Sequence, residues 1–192
     1  FNKVYAKFIS GRTVDDGAYT GIPHYSPVTE KISLDYTKDA VNLRGVGTTY
    51  FHEHGHRIDH MSGFISVTTK EFRKTLQDDY NAYIIKYMGA NKITNMVEAY
   101  NRISQDLRKS DMLSAVSDIL GGISAGSIDG GWKHRLSYWK DNPDNISIES
   151  FAHLFEAQFS EERLRIFSEY FPRASKEFKK IFGAPFSIFT LI

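Results

Sequence analysis

The chain has 192 residues, 41% of them hydrophobic, with 14 Phe, 11 Tyr and a formal net charge of +1. That is enough apolar and aromatic surface for one folded domain, and too little charge imbalance for bulk attraction to nucleic acid or an anionic membrane. Cysteine is absent, which excludes disulfides and thiolate metal sites and leaves His, Asp and Glu as the metal ligands on offer.

No apolar run approaches the ~18 residues of a membrane span, and the N-terminus lacks the charged-then-apolar order of a signal peptide. A chain opening on Phe1 rather than Met reads as a processed or excised piece of a longer protein.

Residues 1–50 read as irregular or β. Val4, Ala6 and Phe8 alternate with Lys3 and Lys7, Asp15-Asp16-Gly17 follows as a turn-rich stretch, and Lys31-Ile32-Ser33-Leu34-Asp35-Tyr36 is the clearest strand. A helix is expected from Gly47-Thr48-Thr49 to about Met61, stopped by Ser62-Gly63. Within it, Phe51 to His60 carries four of the seven histidines and an H-E-x-x-H string.

On a helix, His52 and His56 lie one turn apart on one face, where two imidazoles can hold one Zn²⁺. Glu53 sits roughly 60° round from His56, within reach of a water at the metal but turned from the ligand position. Such a carboxylate can take a proton from water and pass it to a leaving amine. Asp59, three residues past His56, is placed to orient an imidazole from behind. Gly55 weakens the helix and has no surface use, which fits close packing of another element.

Thr68 and Glu71 form a capping-box pattern ahead of a helix with Phe72, Leu76, Tyr80, Tyr83, Ile84 and Tyr87 at helical spacing, ending near Gly89. A third helix carries Ile93, Met96, Val97, Tyr100, Ile103 and Leu107. Ser110 can cap a fourth, with Met112, Leu113, Val116, Ile119 and Leu120 on one face and Gly121-Gly122 at its end. Gly121 to Gly131 reads as a flexible loop, either a lid over a cleft or a plain connection.

Ser147 is expected to cap a helix whose apolar stripe is Ile148, Phe151, Ala152, Phe155 and Phe159. Glu149, His153 and Glu156 form a polar line beside that stripe. Two histidines upstream still need a third protein ligand, and Glu149 is the first choice, His153 the second. The remainder, with Leu164, Phe167 and Phe171, Pro172 at a helix start and Phe178, Ile181 and Phe182 inward, reads as a helical cap ended by Gly183.

H-E-x-G-H-x-x-D from His52 to Asp59, followed by E-x-F-A-x-x-F from Glu149 to Phe155, resembles the gluzincin zinc metallopeptidases. The likeness covers roughly residues 25–182. It is greatest to the catalytic domain of anthrax lethal factor, the Pro-Pro endopeptidases and a metallopeptidase-like domain of phage minor head proteins. The resemblance implies an α+β, mostly α, zincin-like fold in one domain. Residues 1–63 would supply a small sheet packed on the metal helix, and 64–192 a helical part with the third ligand.

It implies Zn²⁺ held by His52, His56 and Glu149, with Glu53 as general base and acid. It also implies a tyrosine shortly before the third ligand that stabilises the oxyanion. Tyr138 is the best match, although the eleven residues to Glu149 exceed the expected spacing. Where relatives often carry Glu, this chain has His153 as a supporting group or extra metal contact. The partner implied is a peptide or protein substrate. A role as a phage-head component with a stabilising metal site is the alternative.

Overall fold

A computed structural model describes residues 15–16 and 21–182. Three short strands form a sheet in the order β1-β3-β2, where β1 is Asp15–Asp16, β2 is His24–Ser26 and β3 is Lys31–Leu34. β1 runs parallel to β3 and β2 antiparallel to it, with Tyr25 opposite Ile32. Alternation in β3 buries Ile32 and Leu34, which join Tyr25 and Tyr50 in a small cluster beneath the sheet.

Two expectations shift here. The strand stops two residues early, because Asp35 accepts from the backbone of Thr37 and Lys38 and turns the chain into helix α1, Tyr36–Asp39. Asp15-Asp16, expected in a turn, pairs as a strand instead. The alternation of Val4, Ala6 and Phe8, and the stop at Gly183, lie outside the described residues.

The rest is helical: α2 Thr48–Met61, α3 Ile65–Thr68, α4 Lys70–Ala90, α5 Met96–Leu107, α6 Ser114–Ile123, α7 Leu136–Asp141, α8 Asn145–Ala157, α9 Glu161–Tyr170 and α10 Pro172–Phe182. The protein is therefore α+β and mostly α. Asn95 caps α5, Ser160 caps α9, and Ser110 caps a 3₁₀ turn at Asp111–Leu113 that leads into α6. The helical stripes converge on one core containing Phe72, Leu76, Ile103, Leu120, Phe151 and Phe178. Each such side chain stabilises by about 1.5–3 kcal/mol relative to exposure.

The capping box at Thr68 does not form. Asp59 accepts from Ser66 N at 2.8 Å and Ser66 Oγ at 2.6 Å, nucleating α3, so the Thr68 hydroxyl is drawn back to Phe64 O instead. Nor does Ser147 cap α8. The helix opens two residues earlier, where Asn142 Oδ1 accepts from Asp144 N, and Ser147 is buried in the first turn. α6 continues through Gly121 and Gly122, where a Cβ on Gly122 would crowd the Trp139 ring at 3.0 Å. The glycine-rich segment after it is a packed connection, with Ile128 fully buried and Asp129 N bonded to Ser104 Oγ.

α2 and α8 cross at the centre. A Cβ on Gly55 would stand 2.6 Å from Ala152 Cα, so glycine is required for this approach. α8 is buried without a break from Glu149 to Ala157. Its polar residues therefore cannot rely on water and must find partners inside.

Candidate metal centre

The crossing of Gly55 with Ala152 sets the geometry, because His52 and His56 flank Gly55 on α2 while Glu149 lies one turn before Ala152 on α8. α2 is held at its start by Asp39, whose carboxylate accepts from Thr49 N and Tyr50 N, both at 3.0 Å. It ends where Gly63 adopts φ +74°.

His52 Nε2, His56 Nε2 and Glu149 Oε2 form a triangle with edges of 3.0, 3.2 and 3.4 Å. Tetrahedral zinc with bonds of 2.0–2.2 Å would put its ligand atoms about 3.3–3.6 Å apart, so the triangle is a slightly contracted face of such a site. The donors are of types that hold a divalent ion, and together they can do so.

The charges fit as well. Burial alone would raise the Glu149 pKa, but the charge of His56 and hydrogen bonds with His52 and His56 hold it well below the carboxylate range. Burial and His153 oppose protonation of His52, yet the carboxylates of Glu149 and Glu156 lift its pKa to about 9. His54, on the other side of α2 against Tyr50 with rings 4.4 Å apart, is driven by burial and then Arg57 down to about 4. It packs rather than binds.

Behind the triangle stands a second layer. Glu156 Oε2 lies 3.3 Å from His52 Nδ1, off the ideal hydrogen-bond direction, and its Oε1 receives Arg163 Nη2. His153 joins Glu156 at 3.2 Å through Nδ1 and Asp118 at 3.3 Å through Nε2. Both its ring nitrogens are engaged by carboxylates and its ring is 4.5 Å from that of His52, and His52, His153 and Glu156 form a second group that could hold an ion. Asp59, expected behind an imidazole, instead gives both carboxylate oxygens to Ser66.

Glu53 is adjacent to the ligands without joining them. Its Oε2 accepts from Tyr25 N at 2.8 Å, leaving Oε1 without a protein donor among the described residues. The strand facing the site is therefore β2. β3 is the central strand of the sheet.

Tyr138 does reach the centre. Its spacing from Glu149 is absorbed by the end of α7 and the Asn142 turn, and Asn145 Nδ2 fixes Tyr138 O at 2.8 Å. Its hydroxyl donates to Glu149 Oε1, and burial together with that carboxylate pushes its pKa far up. His134 stacks on it with ring centroids 4.4 Å apart, Nδ1 on Asp118 at 2.8 Å and Nε2 3.8 Å from Glu149 Oε1.

Two hollows of about 550 and 380 Å³ flank the centre, and His52, Glu53 and His134 line both. Asp118 was not anticipated, although a lone charge in the otherwise small and apolar Ser114–Ile123 helix has to be partnered if buried. Glu156 stood on the polar line without a role, and Arg163 carried no sequence signal at all. Comparison with known proteins finds no matching family model, curated protein or solved structure.

Proposed function

We propose that this chain is a zinc-dependent endopeptidase with a zincin-like, gluzincin-type centre. The observation that carries the reading is the His52–His56–Glu149 triangle with Glu53 next to it but outside it. A purely structural zinc site closes with a fourth protein ligand and has no use for an unengaged carboxylate oxygen at its side. Zinc held by these three residues supplies Lewis acidity, polarising a carbonyl and easing loss of a proton from water.

The chain's own groups do the rest. Glu53 Oε1 takes the proton from the attacking water, and the same oxygen returns it to the amide nitrogen as the C–N bond breaks. Tyr25 N holds the other oxygen and so fixes the direction of the carboxylate. His134 Nε2 is the donor for the charge that develops on the carbonyl oxygen, and the Tyr138 hydroxyl joins it by turning its one O–H from Glu149 Oε1 to that oxygen. Burial opposes a proton on His134, but its bond to Asp118 and the charges of Glu149 and Asp118 raise its pKa, which favours a donating Nε2–H.

The test is digestion of a peptide library by wild type and Glu53→Gln at matched zinc content, read by mass spectrometry. Cleavage by wild type alone supports the peptidase. Equal cleavage by both identifies a contaminant. No cleavage by either, with zinc bound and needed for stability, turns the reading to a stabilising site such as a phage-head component would keep.

A further inference from the structure

Arg44 lies in the connection between α1 and α2, and its side chain lines the larger hollow beside His52, Glu53 and His134. Its backbone is fixed on both sides: Arg44 N donates to Asn42 Oδ1 at 3.0 Å, and Arg44 O accepts from Arg163 Nη1 at 3.0 Å. The same Arg163 holds Glu156 behind His52, so one side chain ties this connection to the metal centre.

The guanidinium is also held. Nη2 donates to Thr49 Oγ1 at 3.0 Å, and the group lies 4.6 Å from the ring centroid of Trp132. Trp132 is 52% exposed, so this stacking is not ordinary core packing.

What the guanidinium lacks is an anion. Among the described residues no carboxylate pairs with it, and its Nε is buried with no acceptor. The other charges around the hollow are spoken for. Lys133 is 2.6 Å from Asp129, Asp118 serves His134 and His153, and Glu53 gives one oxygen to Tyr25 N and forms no ion pair with Arg44. A half-buried, pre-oriented guanidinium without a counter-charge is suited to a carboxylate, which matches its fork with two parallel hydrogen bonds.

We infer that Arg44, backed by Thr49 and Trp132, forms a subsite that receives a carboxylate of the peptide substrate. The inference rests on the peptidase reading and gives it a substrate class: peptides with an acidic side chain, or a C-terminal carboxylate, a short distance from the cleaved bond. The second hollow continues the cleft beyond the metal centre.

The test uses zinc-loaded Glu53→Gln protein and fluorescent decapeptides, with binding read by anisotropy. One set is capped at both ends and carries a single Glu or Gln at each position in turn. The other lacks acidic residues and ends in either a free acid or an amide. In one register Glu should bind at least about tenfold tighter than Gln, about 1.4 kcal/mol, or else the free acid should exceed the amide by as much. The first outcome identifies a side-chain carboxylate and the second a C-terminal one.

Adding Arg44→Gln should erase the difference, and Arg44→Lys should keep only part of it. Zinc content and melting temperature verify that both variants fold, and Trp132→Leu, which weakens the preference through lost stacking, provides an independent check. No preference in either set, or one that Arg44→Gln leaves intact, overturns the subsite. Hydrolysis of the same peptides by wild type separates the two claims. Arg44-dependent binding without any cleavage sinks the peptidase and leaves the subsite, while cleavage without acid preference does the reverse.

Discussion

Gly55→Ala tests whether the crossing of α2 and α8 builds the centre. The new methyl carbon would stand 2.6 Å from Ala152 Cα, 3.1 Å from Ala152 O and 3.2 Å from Ala152 Cβ. Ordinary contact begins at 3.4 Å, so the helices must part by about 0.8 Å. Overpacking of this kind costs about 1–3 kcal/mol, and subtracting ~1 kcal/mol for the better helix propensity of Ala leaves a net loss of about 0–2 kcal/mol.

The same movement carries Glu149 away from His52 and His56, whose distances to it are 3.2 and 3.4 Å. Metal–ligand distances tolerate only ±0.2 Å or so, and zinc affinity should fall by roughly tenfold or more. The assay is urea unfolding with and without zinc, plus competition for zinc with a chromophoric chelator. Gly89→Ala is the control. It lies in α4 with nothing within 4 Å of its added Cβ, and it should gain up to about 1 kcal/mol without touching zinc affinity. If Gly55→Ala matches wild type in both stability and zinc affinity, the close crossing is not what positions the ligands.

His52→Ala or Glu149→Ala should lower zinc content from about one per chain to near none by elemental analysis; metal retained in Glu149→Ala but lost in His153→Ala would reverse the ligand assignment. Glu156→Gln should keep zinc at saturation but bind it about 10–100-fold more weakly, because the support of His52 Nδ1 is impaired. Unchanged affinity would remove Glu156 from the support. Tyr138→Phe should retain zinc and lose roughly 10²-fold in turnover, and a variant with full turnover would leave His134 as the donor. Zinc at about a hundred times its dissociation constant should stabilise the fold by about 2.7 kcal/mol, some 5–10 °C in Tm; a Tm indifferent to chelator would refute linkage of the site to folding.

Local patterns were legible where the local rule also governs the fold. α2 and its stop at Gly63, the strand alternation at Ile32 and Leu34, the glycine demanded at 55 and the pairing of His52 with His56 all follow from spacing along one element. The expected caps failed where a nearby side chain captured the backbone first. Thr68 looks like a cap, but Asp59 catches Ser66 and starts a turn of helix before it. Ser147 looks like a cap, but Asn142 opens α8 sooner. The support layer was hidden for another reason. Asp118, His153, Glu156 and Arg163 come from three helices, and no periodicity announces that their side chains will meet.

Charge counting explains why a divalent ion suits this interior. Glu149, Glu156 and Asp118 are all buried, and the permanent cation paired directly with this group is Arg163 on Glu156. With Glu53, buried beside them, four carboxylates against one guanidinium leave three negative charges, which protons on His52, His134 or His153 can offset and which a divalent cation would offset in their place. Metal and protons should therefore exchange, since an imidazole must be deprotonated to ligate. With His52 lifted to about 9, zinc entering at neutral pH should release about one proton. Calorimetric titration in buffers of different ionisation enthalpy measures that number directly. A binding heat independent of buffer would mean that His52 gives up no proton, and would refute a protonated His52 in the metal-free centre.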